Sequence, residues 1–183
     1  MLVLLLAGAL IVGVWWFGLR PHESPTDMPA PAAAPTAPAR PAEAFPMIVE
    51  SVHDGDTIRA HVDTPNDVVT DLASTRIRLL GIDTPEISPE LDCWGAEATT
   101  SLAELLPPGS TVWAAPDVEV LDQYGRHLLY LWTDDGRFVN AELLAQGDAR
   151  VEIYRPNTLH EGLFRSLEAE AQAAHAGRWG ACA

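Results

Sequence analysis

A short turn, Asp54-Gly55-Asp56, lies between two runs with strand patterning, and it narrows the possible folds more than any other feature. In residues 57–63 (TIRAHVD), Ile58, Ala60 and Val62 alternate with Arg59, His61 and Asp63, the period of a half-buried strand. Residues 47–53 (MIVESVH) precede the turn, so the pair predicts an antiparallel hairpin. Residues 75–82 (TRIRLLGI) predict a third strand, with Gly81 able to permit a bulge. Asp83-Thr84-Pro85-Glu86 ends it, because proline cannot donate to a central ladder. Residues 111–115 and 127–133 (HLLYLWT) predict two more strands, the last buried on both faces.

Helical spacing of Ala98, Leu102, Leu105 and Leu106 predicts a helix over 96–106, stopped by Pro107-Pro108-Gly109. A second helix is expected over 138–146, with Gly147 as its C-cap. A third is expected over 160–175, with Leu163, Phe164, Leu167, Ala171 and Ala174 along one side and Asn157 or Thr158 capping its start. Five strands with a helix after the third and two helices at the end predict an α+β fold. A small Greek-key barrel packed by helices suits this order better than βαβ units do.

Three regions follow from composition. Residues 1–20 contain an uncharged run, 2–19, that would span about 27 Å as a helix, close to a bilayer core. It reads either as an uncleaved membrane anchor or as a signal peptide. Residues 21–45 are rich in Pro and Ala and read as a disordered, semi-rigid linker. Residues 46–183 are the folded domain.

The 11 basic residues, all arginine, face 26 Asp and Glu, for a formal charge of −15. Such a charge repels polyanions, so any nucleic-acid partner needs a local positive patch or added divalent cation. Cys93 and Cys182 are the only cysteines, and in an exported chain they predict one disulfide tying the C-terminal tail to the body. Trp94, Trp113, Trp132 and Trp179 read as core residues, and His53, His61 and His127 as packing or surface residues.

The candidate chemistry lies at strand ends. Asp56 and Asp83 can present oxygens to a hard cation, and no His/Cys cluster has zinc spacing. Glu86 can hold or deprotonate a water beside that cation. Arg78 and Arg126 offer forked donors for phosphate oxygens.

These pieces occur in DGDT, RLLGIDTPE, WGAEA, DQYGR, VNAELLAQGDARV, RPNTLHE and LEAEAQAAHAGRWG, in that order. The chain from about Ile48 to Trp179 resembles the staphylococcal nuclease (thermonuclease-like) family. The resemblance implies an OB-fold barrel with three helices and calcium-dependent cleavage of DNA and RNA, with single-stranded or unpaired substrate preferred, 3′-phosphate products and a 5′-hydroxyl leaving group. It implies that Asp56, Asp83 and the Thr84 carbonyl bind Ca2+, that Glu86 acts on the attacking water, and that Arg78 and Arg126 bind phosphate. Tyr124 and Tyr154 would lie against the nucleotide. Gln123 and Glu152 depart from the family pattern, as does a short, lysine-free segment from Glu86 to Trp94. The expected setting is extracytoplasmic, secreted or membrane-anchored through the N-terminal segment, and the expected state is a monomer. The competing reading is a catalytically inactive OB-fold module that binds nucleic acid or calcium.

Overall fold

The computed structural model describes residues 37–182. The apolar segment 1–20 and linker residues 21–36 lie outside the described residues, as does residue 183.

The chain runs through β1 (Phe45–Val52), β2 (Thr57–His61), β3 (Thr75–Leu79), β4 (Ile82–Asp83), α1 (Gly95–Leu105), β5 (Thr111–Ala115), β6 (His127–Thr133), α2 (Val139–Gln146), β7 (Arg150–Val151), α3 (Glu161–Ala173) and the short α4 (Arg178–Ala181). Five strands close into a barrel in the order β1-β2-β3-β6-β5, with β5 pairing back onto β1. This is the expected α+β barrel of OB type, dressed by three longer helices.

Alternation predicts the β2 faces correctly. Ile58, Ala60 and Val62 are buried, while Arg59 and Asp63 are exposed. In β6 every residue after His127 is buried. On one side its side chains fill the barrel with Ile77, Leu79, Val112 and Ala114. Tyr130 and Trp132 meet Phe138, His160 and Phe164, and the Trp132 and Phe138 rings stack with centroids 4.5 Å apart. Each such buried side chain contributes about 1.5–3 kcal/mol relative to exposure.

Glycine is required at the bends after β3 and after α2. Gly81 (φ 78°) lets β3 bend into β4, and a Cβ there would stand 2.5 Å from Phe164 Cε2. Gly147 (φ 77°) caps α2, as predicted.

Some expectations are corrected. α3 ends at Ala173, so Ala174 is exposed rather than part of the packed stripe. His160 takes its N-cap position without a side-chain cap, while the Asn157 carboxamide accepts the amides of Val118 and Glu119 instead. Among the described residues only Trp132 is a core tryptophan, and Trp179, expected in the core, is half-buried. Trp94 and Trp113 are half-buried and donate to Asp148 and Asp134, because an indole N–H near the surface reaches a carboxylate more cheaply than it is buried unpaired. β4 and β7 form a two-residue pair that no periodicity reveals.

Residues just before β1 lie against the barrel. Trp132 Nε1 donates to the Pro38 carbonyl at 3.3 Å, and the Arg40 guanidinium sits over the Trp113 ring. Cys93 and Cys182 form the expected disulfide, joining the segment before α1 to the residue after α4.

Candidate active site

Arg78 is the junction of the site. It sits in β3, and its β-ladder partners are Thr57 of β2 on one side and Leu128 of β6 on the other. Parallel pairing of β3 with β6 brings Arg126, one residue before β6, to the same end of the barrel. The Asp54–Asp56 turn sits there too, because Leu79 N donates to the Asp56 carbonyl.

The Arg78 side chain is buried and heavily used. Nη1 donates to the carbonyls of Leu79 (2.9 Å) and Ile82 (2.6 Å), and Nη2 donates to Asp83 Oδ1 (3.0 Å). Nε stands 3.2 Å from Asp56 Oδ1 in an ion pair. Of the five N–H groups, one on Nη2 is left over for a ligand.

Asp56 is buried as well. Its Oδ2 accepts the Thr84 amide and hydroxyl, and its Oδ1 accepts the Thr57 hydroxyl. Burial pushes its pKa up to about 6, against the pull of Arg78, and neighbouring Asp54 adds to the rise. Glu86 is raised too, first by partial burial and then by Asp54 and Asp83. Four carboxylates, Asp54, Asp56, Asp83 and Glu86, therefore crowd one end of the barrel, and their proximity disfavours the charged forms of Asp56 and Glu86.

That crowding tests the fit of a cation. The donors are all oxygens, which suits a hard divalent ion and not a thiophilic one. Among the described residues, no three His, Cys, Asp or Glu side chains gather into a ready cage. Asp56, Asp83 and the Thr84 carbonyl would supply part of a coordination sphere, with water completing it, as calcium tolerates. The residues present fit such an ion.

Two clefts flank this junction. The first, about 620 Å³, is lined by Arg78, Arg126, Tyr124, Tyr154, Gln123 and Arg155 among others. Tyr124 and Tyr154 are 66% and 44% exposed, so two aromatic faces are offered to solvent beside three guanidinium groups. Arg126 is set by its own turn. Asp122 Oδ1 accepts the amides of Tyr124 and Arg126, and Asp122 Oδ2 accepts Arg126 Nε at 2.6 Å. The second cleft, about 570 Å³, is lined by Asp83, Thr84, Glu86, Arg150, Arg178 and the disulfide. The ten site residues named from sequence thus fall into one region: Asp56, Asp83, Thr84 and Arg78 in direct contact, Tyr124, Arg126 and Tyr154 on one flank, and Glu86, Cys93 and Cys182 on the other.

The sequence profile described as "Staphylococcal nuclease homologue" matches residues 76–181. The chain belongs to the staphylococcal nuclease family. It is 33% identical over 135 residues to the thermonuclease of Staphylococcus intermedius, covering 72% of this chain and 74% of that protein. It is 34% identical over 130 residues to endonuclease YncB of Bacillus subtilis, covering 69% of this chain and 57% of that protein. It is 32% identical over 124 residues to the thermonuclease of Staphylococcus hyicus, covering 66% of this chain and 68% of that protein.

Within this member of the staphylococcal nuclease family, several site residues escaped the sequence reading. Arg150 of β7 pairs across from Asp83 of β4 and donates from Nε to its Oδ2 at 2.9 Å. Two-residue strands leave no pattern to find it by. Asp122 could have been found, since its spacing to Arg126 closes a side-chain loop over the turn. Asp54 and Arg155 lie within the DGDT and RPNTLHE motifs, but sequence alone did not assign them a place beside the site.

Proposed function

We propose that the protein is a calcium-dependent nuclease that hydrolyses phosphodiester bonds of DNA and RNA and leaves a 3′-phosphate and a 5′-hydroxyl. The observation that carries this reading is the position of Arg78, which lines the aromatic, arginine-rich cleft while gripping the two buried-end aspartates. A phosphate in that cleft lies next to both charge-neutralising groups and carboxylates. The relatives named above, thermonucleases and an endonuclease, support the same class of reaction.

Calcium held by Asp56, Asp83 and the Thr84 carbonyl would supply charge neutralisation at the phosphate. Glu86, its pKa raised by burial and by its acidic neighbours, accepts the proton of the attacking water. As the new O–P bond forms, Arg78 and Arg126 stabilise the charge on the non-bridging oxygens. The bond from phosphorus to the 5′-oxygen breaks, and that oxygen takes a proton from solvent. Tyr124 and Tyr154 stack on bases, which is sequence-tolerant and favours single-stranded or unpaired substrate. All these groups come from one chain, which supports action as a monomer.

The disulfide supports an extracytoplasmic setting, with residues 1–20 as anchor or cleaved signal and a tether that ends before residues 38–45, which pack on the barrel as part of the enzyme. The deciding experiment incubates the full chain with single-stranded DNA and RNA, with calcium and with EDTA. Cleavage only with calcium, yielding ends that phosphatase treatment converts to 3′-hydroxyls, is expected. Full activity in EDTA would remove the metal role, and absence of cleavage in both would remove the activity.

A further inference from the structure

Arg178 begins α4, and its position is fixed from both ends. Its amide donates to the Gly147 carbonyl at 3.0 Å. Gly177 before it packs so closely that a Cβ would stand 2.5 Å from the same carbonyl oxygen. Four residues later, Cys182 is bonded to Cys93. The side chain is half-buried and shares the second cleft with Asp83, Glu86 and Arg150.

The Arg178 guanidinium sits 5.2 Å from the Trp179 ring centroid and, among the described residues, meets no carboxylate in an ion pair. Arg150, by contrast, is paired with Asp83 and lies 3.7 Å from Glu152. Burial and the like charge of Arg150 depress the Arg178 pKa, and the opposing pull of Asp83, Asp92 and Glu168 at longer range does not restore it. In a chain with 26 acidic and 11 basic residues, a held, half-buried guanidinium without a carboxylate is available to an outside anion.

The cleft location says which anion. Arg78 and Asp83 separate the second cleft from the aromatic one. A strand with its reacting phosphate at Arg78 and a base on the tyrosines can continue past Asp83 into the second cleft. We infer that Arg178, with Arg150 beside it, binds the neighbouring backbone phosphate of the nucleic-acid strand on the side away from the tyrosines. It forms a subsite that extends recognition beyond a single phosphodiester. This rests on the nuclease reading of the site. The Cys93–Cys182 bond serves the subsite by tying the end of α4 to the segment that follows Glu86.

The test compares the full-length wild type with Arg178→Ala and Arg178→Lys on two substrates. One is a dinucleoside monophosphate, which has a single phosphodiester, and the other is a single-stranded decanucleotide. Arg178→Ala should raise KM for the decanucleotide about tenfold with kcat unchanged, and leave the dinucleoside monophosphate unaffected; Arg178→Lys should recover most of the loss. In chelator, where nothing is cut, the slope of log K against log salt for decanucleotide binding should fall by about 0.7 in Arg178→Ala, the loss of one phosphate contact. Equal losses on both substrates, or an unchanged salt slope, would overturn the subsite. A wild type that shows the expected slope difference yet cuts neither substrate would overturn the nuclease reading and leave the subsite standing.

Discussion

Arg78 donates from Nη2 to Asp83 Oδ1 at 3.0 Å, so the group proposed to hold phosphate already holds a group proposed to hold the cation. Asp83 gives its other oxygen to Arg150. Both carboxylate oxygens are thus engaged by guanidinium groups, and phosphate contacts and cation contacts draw on the same atoms.

Replacing Arg78 should therefore damage fold and chemistry together. Lysine cannot serve two carbonyls and two carboxylates at once. Arg78→Lys is expected to lower kcat/KM by roughly 100-fold or more. Arg78→Ala leaves Asp56 buried without its cation, and should cost about 3–5 kcal/mol in urea denaturation of the metal-free protein. An Arg78→Ala protein as stable as wild type would contradict the account of this pair.

Arg126 should behave differently, since it stands on an exposed turn and among the described residues forms an ion pair only with Asp122. Arg126→Ala is expected to cut kcat by about 100-fold or more with calcium affinity nearly unchanged. Asp122→Ala frees the guanidinium and removes the acceptor of two amides, so it should cost a smaller share of kcat, roughly tenfold. Turnover that survives Arg126→Ala would defeat the proposed charge stabilisation.

The raised Asp56 fixes a sign for pH dependence. Folding makes this carboxyl harder to ionise, so the folded state holds its proton more firmly than the unfolded chain does. Its contribution to stability is present below the usual value of 3.8 and is lost as pH rises through about 6. In chelator, the stability of wild type minus that of Asp56→Asn should fall between pH 4 and 6.5, and added calcium should reverse the trend at the upper end. Urea midpoints across that range measure it; a difference that grows with pH in chelator would show that ion pairing with Arg78, not burial, dominates.

The disulfide closes a long loop, its cysteines being 89 residues apart. Reduction is expected to cost about 3–5 kcal/mol. It should also loosen α4 and the segment after Glu86, so decanucleotide KM should rise before the fold is lost. Denaturation curves and steady-state kinetics with and without reductant check both. Unchanged kinetics in the reduced, still folded protein would detach the bond from the cleft.

Much of the fold was legible because the barrel strands follow the period-two rule where one face meets solvent, as in Ile58, Ala60 and Val62. The motif carboxylates and arginines were legible as residue types set beside turns. What stayed hidden was set by tertiary contact alone. The β4–β7 pair is too short to leave a period, so Arg150 looked like any surface arginine. Asn157 resembled a helix cap, and only the approach of residues 118–119 shows where its carboxamide bonds. Trp94 and Trp113 matched core residues in size, but carboxylates nearby in space hold them at the surface.

The parallel ladder of β3 and β6 sets Arg78 against Leu128, two residues past Arg126. The separation of the two guanidinium groups is thereby governed by strand registry and not by how much chain connects them. Between β2 and β3, Val62 and Val69 belong to the core, so the exposed run 70–74 is the part that can be lengthened or exchanged for a foreign graft without resetting that separation. An engineer could use this segment to add a targeting peptide or a basic clamp while leaving the spacing of the arginines as it stands.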